Sequence, residues 1–220
     1  MERYPLDQNF SIKVSDFVFL PSMELQEKID HYWNEQCKKK PLFNGTIFAV
    51  EKETSKYIEG FFTEYKYYIA TQSEELRPHI PFRFLGLSCL VVCGDQVLAG
   101  RRSEQVASYC GYMEAVPQGV FEEGLNFWRQ GEKELFEESG IDPSRIREKR
   151  LLGLFRDAQS PFDDLGLCFS LKEGGYTPTS SSEHDSLQFM PYKEFLELDK
   201  LISTSRELVL TWLCSEQRQV

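Results

Sequence analysis

The sequence has no long apolar run, few histidines and no closely paired cysteines. None of its stretches approaches the roughly 20 apolar residues that a membrane helix needs. The opening residues, MERYPLDQNFSIKVSD, lack the basic and apolar regions of a secretory signal. Neither membrane insertion nor export is therefore expected, and the expected location is the cytoplasm. Cations are in the minority: 25 Lys and Arg stand against 35 Asp and Glu, a formal net charge of −10 at pH 7. Nucleic acids and anionic membranes bind to basic footprints, so neither is an expected partner. A local cation site can still take a small anionic substrate. Six cysteines (Cys37, Cys89, Cys93, Cys110, Cys168 and Cys214) occur without a C-x-x-C pair, and with 3 His they assemble no zinc set. Cys89 and Cys93 share a face of the run LSCLVVC and read as reduced core filling.

The 220 residues, with 17 Phe and 10 Tyr, suffice for one good core or for one domain with a sizeable extension. The most informative stretch is PQGVFEEGLNFWRQGEKELFEESGI, residues 117–141. A turn-forming Pro-x-Gly and an acidic loop lead into a segment with helical spacing that stops at Gly140. Glu134, Glu137 and Glu138 then lie within an arc of roughly 100°. Trp128 and Leu135 fall on a different face, with Phe136 beside them, and Ile141 resumes apolar contact after the Gly140 cap. Glutamate-rich helices are ordinarily solvated faces. Here the like charges repel at i, i+4 spacing. A turn of glycine and proline is also held at a fixed distance from them. Oxygen ligands of this kind suit a hard divalent ion such as Mg²⁺, completed by water and substrate phosphate.

The stretch resembles the signature of the Nudix hydrolases, G-x5-E-x7-R-E-U-x-E-E-x-G-U, where U is aliphatic. Gly119, Glu134, Leu135, Glu137, Glu138, Gly140 and Ile141 match. Leu125 stands where the pattern has its first glutamate and Lys133 where it has arginine. Lysine lacks the rigid two-pronged fork of arginine. The resemblance implies an α/β (α+β) fold, an α/β/α sandwich with a mixed sheet, over residues 81–220. It implies Mg²⁺, or Mn²⁺, held by Glu134, Glu137 and Glu138, with the Gly119 carbonyl as a further ligand. A late loop often supplies another carboxylate in this family. Glu183 is the candidate, as ligand or general base, with His184 and Asp185 as rivals.

Residues 1–80 read as a β-rich extension with one helix. FSIKVSDFVFLP is expected as strand, and Ser22 as the N-cap of a helix over MELQEKIDHYWNEQCKKK. Lys38, Lys39 and Lys40 would sit near the negative end of its dipole, a reading preferred over a phosphate patch. TIFAVEKE and IEGFFTEYKYYIAT read as β-segments from their aromatic and β-branched content, and RPHIPF as the boundary. LGLSCLVVCGDQVLAGRRS is a hairpin turning at Gly94-Asp95, with Arg101 and Arg102 at the end of its return strand. Alternation lets at most one of those arginines face the site. With Lys133 they are the candidate substrate-binding cations. The run GRRSEQVASY, with Gly111 and Pro117, is similar to the Nudix UDP-sugar pyrophosphatase subgroup, which also shares an LFNG-like turn. After the glutamate stretch, two strands flank Ser160-Pro161, a polar loop precedes SLQFMP, Pro191 opens a helix and RELVLTWLCSEQ closes as another.

The expected substrate is a nucleoside diphosphate linked to a group X, such as a UDP-sugar, cleaved to a nucleoside monophosphate and phosphorylated X. The alternative, motivated by Leu125 and Lys133, is a Nudix-fold module that binds a nucleotide or a protein with little turnover. Messenger-RNA decapping is disfavoured by the acidic balance. The N-terminal layer could serve as a homodimer surface.

Overall fold

In the computed structural model, which describes residues 1–106, 108–179 and 182–216, the run LSCLVVC lies inside a strand whose middle nine residues are all buried. Burial on both faces accounts for its unbroken hydrophobicity. Around it the described strands are β1 (Glu2–Tyr4), β2 (Ser11–Val14), β3 (Thr46–Glu53), β4 (Tyr57–Glu64), β5 itself (Arg83–Cys93), β6 (Gln96–Arg102), β7 (Met113–Ala115), β8 (Gln118–Val120), β9 (Ile146–Arg156), β10 (Phe162–Leu171) and β11 (His184–Pro191). The helices are α1 (Met23–Cys37), α2 (Tyr65–Ala70), α3 (Phe127–Ser139), α4 (Tyr192–Leu196) and α5 (Ser203–Glu216).

The strands form one mixed sheet in the order β1-β9-β10-β5-β3-β4-β2. β8 and β6 also pair with β5, while β7 and β11 pair with β6. β10 runs parallel to β5 and β2 parallel to β4. Leu85, Leu87, Cys89 and Val91 point from β5 into a core shared with Leu135 of α3. Leu90 and Val92 point the other way, toward Leu208, Val209 and Trp212 of α5. The result is an α/β/α sandwich. At Gly131 the α3 backbone closes on the sheet: an added Cβ would come within 2.8 Å of the Phe169 ring.

The N-terminal strands belong to this sheet. β3 joins β5 through Ala49–Phe84 and Val50–Arg83, and β1 joins the far edge on β9. A third core forms beneath α1 and α2 from Ile29, Ile47, Phe61, Tyr67 and Phe84. Ser22 caps α1 by accepting from the Leu25 N–H at 3.3 Å. The lysines beyond that helix cap its carbonyls through the backbone: the Lys38 N–H donates to Asn34 at 3.3 Å, and those of Lys39 and Lys40 donate to Gln36 at 2.9 and 3.1 Å. Lys38 pairs with Glu35 at 2.5 Å, and Lys40 reaches the Val106 carbonyl at 3.2 Å.

YKYYIA, expected as strand, is the helix α2. Its first turn is held from the preceding LFNG turn. Asn44 accepts the Lys66 N–H at 2.9 Å and the Gly45 carbonyl accepts the Tyr65 N–H at 2.8 Å. The helix buries Tyr67, Ile69 and Ala70, and this packing overrides the β-preference of the aromatic residues.

Candidate active site

Local chemistry fixes the ends of α3. Asn126 accepts the Arg129 N–H at 3.0 Å, and Gly140, at φ 69°, takes the left-handed cap conformation. Leu135 anchors the helix in the core. Phe136 does not join it and is 56% exposed, because a residue adjacent to an inward position is rotated by roughly 100°.

Glu134 and Glu138, one turn apart, face the sheet beside β8. Glu134 accepts from Gln130 Nε2 at 2.7 Å, and its carboxylate lies over Gly119, where an added Cβ would stand 2.5 Å from Oε1. Gly119→Ala is therefore expected to displace Glu134 and to lower activity by more than tenfold. The fold should stay intact, since a carboxylate end can move; activity assays paired with circular dichroism check both parts.

Glu138 is 5% exposed. Its Oε1 accepts the Gln118 N–H at 3.0 Å, while its buried Oε2 has no hydrogen-bond partner among the described residues. His184 Nδ1 lies 3.7 Å from it, equally unpartnered among them. The other ring nitrogen of His184 sits 2.9 Å from Glu114 Oε1, which also takes Arg102 at 2.6 Å. Gly100 gives the imidazole its space: an added Cβ would come within 2.5 Å of it.

Burial pushes Glu134 up to about 7. Burial, then the charges of Glu183, Glu114 and Glu134, push Glu138 up to about 9, against the Gln118 N–H that lowers it.

Glu137 lies elsewhere. It is 54% exposed and 3.4 Å from Lys133, because positions 137 and 138 mark opposite ends of the arc and only one end meets the sheet. Among the described residues, no three His, Cys, Asp or Glu side chains converge as a metal-holding group. The fit to a hard divalent ion rests instead on the orphaned Glu138 oxygen and on carboxylate charge gathered around it, a hard oxygen donor set.

Lys133 has a carboxylate partner that its spacing did not announce. Its ammonium lies 2.7 Å from Glu122, three residues beyond Gly119, so the acidic loop supplies the charge that Leu125 lacks. Arg102 turns inward to Glu114 and donates to the Ser108 carbonyl at 3.0 Å, while Arg101 is exposed. Glu183 and Asp185 are exposed, on either side of buried His184. Glu183 faces a cleft of about 340 Å³ that it shares with Lys40, Tyr65 and Arg102. Periodicity gave no notice of Glu114, Gln118, Glu122 or Gln130; of these only Gln130, one turn before Glu134, carries a local signal.

A second cavity, of about 210 Å³, opens beside Gly119 and Gln118 and is walled by Arg102, Tyr68, Tyr109 and Asp164. Burial pushes Asp164 up to about 6, against the Thr204 hydroxyl that donates to it at 3.1 Å. A carboxyl raised on folding favours the folded state fully below pH 3.8, and that stability is lost as pH rises through about 6. Asp164→Asn is then expected to exceed wild type in stability at pH 7.5 by about 1 kcal/mol, allowing for its partial exposure, and to equal it near pH 4. Urea melts at the two pH values measure this.

A mixed sheet between two helices, with buried carboxylates gathered against a glycine turn, defines an α/β/α enzyme with an acidic centre. A NUDIX domain match spans residues 83–213, and the chain belongs to the Nudix family of hydrolases. Among solved structures, a bifunctional NMN adenylyltransferase/ADP ribose pyrophosphatase from Francisella tularensis, complexed with AMP and a Mn ion, is similar at 16% identity and TM-score 0.52. That likeness covers 67% of this chain and 46% of that one. A MutT protein from Methanosarcina mazei Go1 is similar at 16% identity and TM-score 0.49, over 62% of this chain and 95% of that one. At these identities the likeness is one of fold. Among curated protein sequences nothing matches.

Proposed function

We propose that this hydrolase cleaves the pyrophosphate bond of a nucleoside diphosphate linked to a group X, with a nucleotide sugar such as a UDP-sugar as substrate. The products are a nucleoside monophosphate and phosphorylated X. The observation that carries this is buried Glu138, with an orphaned oxygen, beside Glu134 and Gly119. Glu134 and Glu138 would hold a divalent ion, Mg²⁺ or Mn²⁺, with the Gly119 carbonyl as a further donor. Such an ion neutralises pyrophosphate charge and lowers the pKa of a water molecule.

The remaining work belongs to side chains. Arg102, fixed by Glu114, presents a cation where charge develops on phosphoryl oxygens. Glu183 would take the proton from the attacking water; its position in the wall of the cleft that Arg102 also lines supports this role. Lys133, held by Glu122, keeps the acidic loop against α3. That pair favours the hydrolase over a binding module with little turnover, since it gives Lys133 the carboxylate that Leu125 does not supply.

The test is a Mg²⁺-dependent hydrolysis panel of UDP-sugars, ADP-ribose, dinucleoside polyphosphates and nucleoside triphosphates. Turnover of nucleotide sugars above the other classes supports the reading. Turnover confined to another class would replace X, and no turnover by a folded chain would sink the reading.

A further inference from the structure

The cleft beside Glu183 has a wall supplied by the N-terminal extension, outside the residues of the family match. Lys40, Leu42, Phe43 and Tyr65 come from the extension, and Arg102 of β6 lines the same cleft. Phe43 is 85% exposed. Its backbone is well anchored, however. Asn44 binds the Lys66 N–H and donates to Glu64 at 2.7 Å, and Gly45 accepts the Tyr65 N–H at 2.8 Å. The ring itself lies over Gly45, where an added Cβ would be 3.3 Å from it. A large apolar face is thus held in water at a defined place on the cleft rim, and it does not hang from a fraying loop.

Charge makes the cleft distinctive. In a chain of net charge −10, two cations line it, Lys40 and Arg102. Lys40 is drawn across from the end of α1 to the Val106 carbonyl, which leaves its ammonium beside the loop that follows β6. Arg102 links the cleft to the acidic centre through Glu114 and His184, which adjoins Glu138. An anion held at the acidic centre therefore has Arg102 near it and, lining the same cleft as Arg102, Lys40 and the Phe43 ring.

We propose that the Lys40–Phe43 turn is a nucleotide subsite, in which Lys40 contacts the phosphate bearing the nucleoside and the Phe43 ring stacks on the nucleobase. This rests on the proposed function, since it assigns one end of that substrate. Stacking on an aromatic face tolerates any base, so the subsite fixes the substrate's direction in the cleft more than the choice of base. A lysine suits this position as a compact point charge that the Val106 carbonyl holds at the cleft, whereas Arg102 is oriented by its carboxylate. The anchored turn lowers the ordering cost of binding.

The test is calorimetric titration of the full chain with AMP and UMP, each compared with its nucleoside, with and without MgCl₂. Phe43→Ala is expected to weaken nucleotides and nucleosides alike by roughly tenfold, and Phe43→Tyr to restore them. Lys40→Gln is expected to weaken the nucleotides by roughly tenfold while sparing the nucleosides. Lys39→Gln, next to it, should match wild type. Both sites are exposed, so folding should survive, and a thermal melt checks this. Wild-type affinities in Phe43→Ala and Lys40→Gln would overturn the subsite alone, as would equal losses in Lys39→Gln and Lys40→Gln. A wild-type chain that binds neither nucleotide would overturn the proposed function and this assignment together.

Discussion

Glu138→Gln should lose activity and gain stability. The loss follows from its position: a buried carboxylate with one oxygen committed to the Gln118 N–H and the other orphaned. The amide keeps the shape and the hydrogen bond but removes the charge that a divalent ion needs. Partners that merely orient metal ligands cost 10- to 100-fold when removed, so loss of the donor itself should cost at least about 100-fold in Mg²⁺-dependent turnover. The gain follows from the carboxyl being pushed from 4.5 to about 9 on folding. Between those values the unfolded chain sheds the proton that the folded chain keeps, so wild-type stability falls as pH rises across that window. An amide does not pay this cost. In chelator at pH 7.5 the variant should be more stable by about 2 kcal/mol, a rise in Tm on the order of 5 °C. Wild-type turnover in Glu138→Gln would remove that carboxylate from the active site. A large fall in its Tm would show that lost activity was lost folding.

What could be seen in the sequence was local. The glutamate spacing and Gly140 lie within one helix, and the β5–β6 turn at Gly94-Asp95 lies within one hairpin. Periodicity and caps are enough for these. The 100° arc of Glu134, Glu137 and Glu138 was legible, but which end of it meets the sheet depends on how α3 docks. Docking was set by Leu135 and by the contact of Gly131 with Phe169, residues 38 positions apart in the chain. The partner of Lys133 was invisible because a loop with a left-handed glycine, Gly124 at φ 84°, brings Glu122 rather than residue 125 to it. The His184–Glu114 contact required β11 and β7 to flank β6, a pairing that no local pattern announces. α2 departs from the expected strand for the same reason, since Asn44 and Gly45, which hold its first turn, lie on the far side of the β3–β4 hairpin in the chain.

Asp163→Ala should be the most destabilising single change in the polar part of the fold. Asp163 is fully buried on β10 and accepts from Arg83 Nε at 2.6 Å and Arg156 Nε at 2.8 Å. Arg83 starts β5, Arg156 ends β9, and Arg156 also pairs with Glu53 of β3. One carboxylate thereby ties three strands of the sandwich to β3 of the N-terminal layer. Removing it leaves Arg83, 30% exposed, with backbone carbonyls alone, and Arg156, 21% exposed, with Glu53 as its remaining carboxylate. Breaking a buried pair costs about 3–5 kcal/mol because the partner charge stays behind, and partial exposure of the arginines favours the lower end. For a chain of this size that is a fall in Tm on the order of 10 °C. Glu24→Gln, which breaks the exposed i,i+4 pair with Lys28, should shift Tm by less than about 2 °C. Equal melting of the two variants would mean that the buried cluster does not join the layers. The neighbouring Asp164 faces the cavity beside Gly119, so one strand carries a carboxylate that secures the layers and another that loosens the cavity wall at neutral pH. Activity of Asp163→Ala below its melting point should accordingly stay within about threefold of wild type, whereas its loss would place the cluster in control of the cavity.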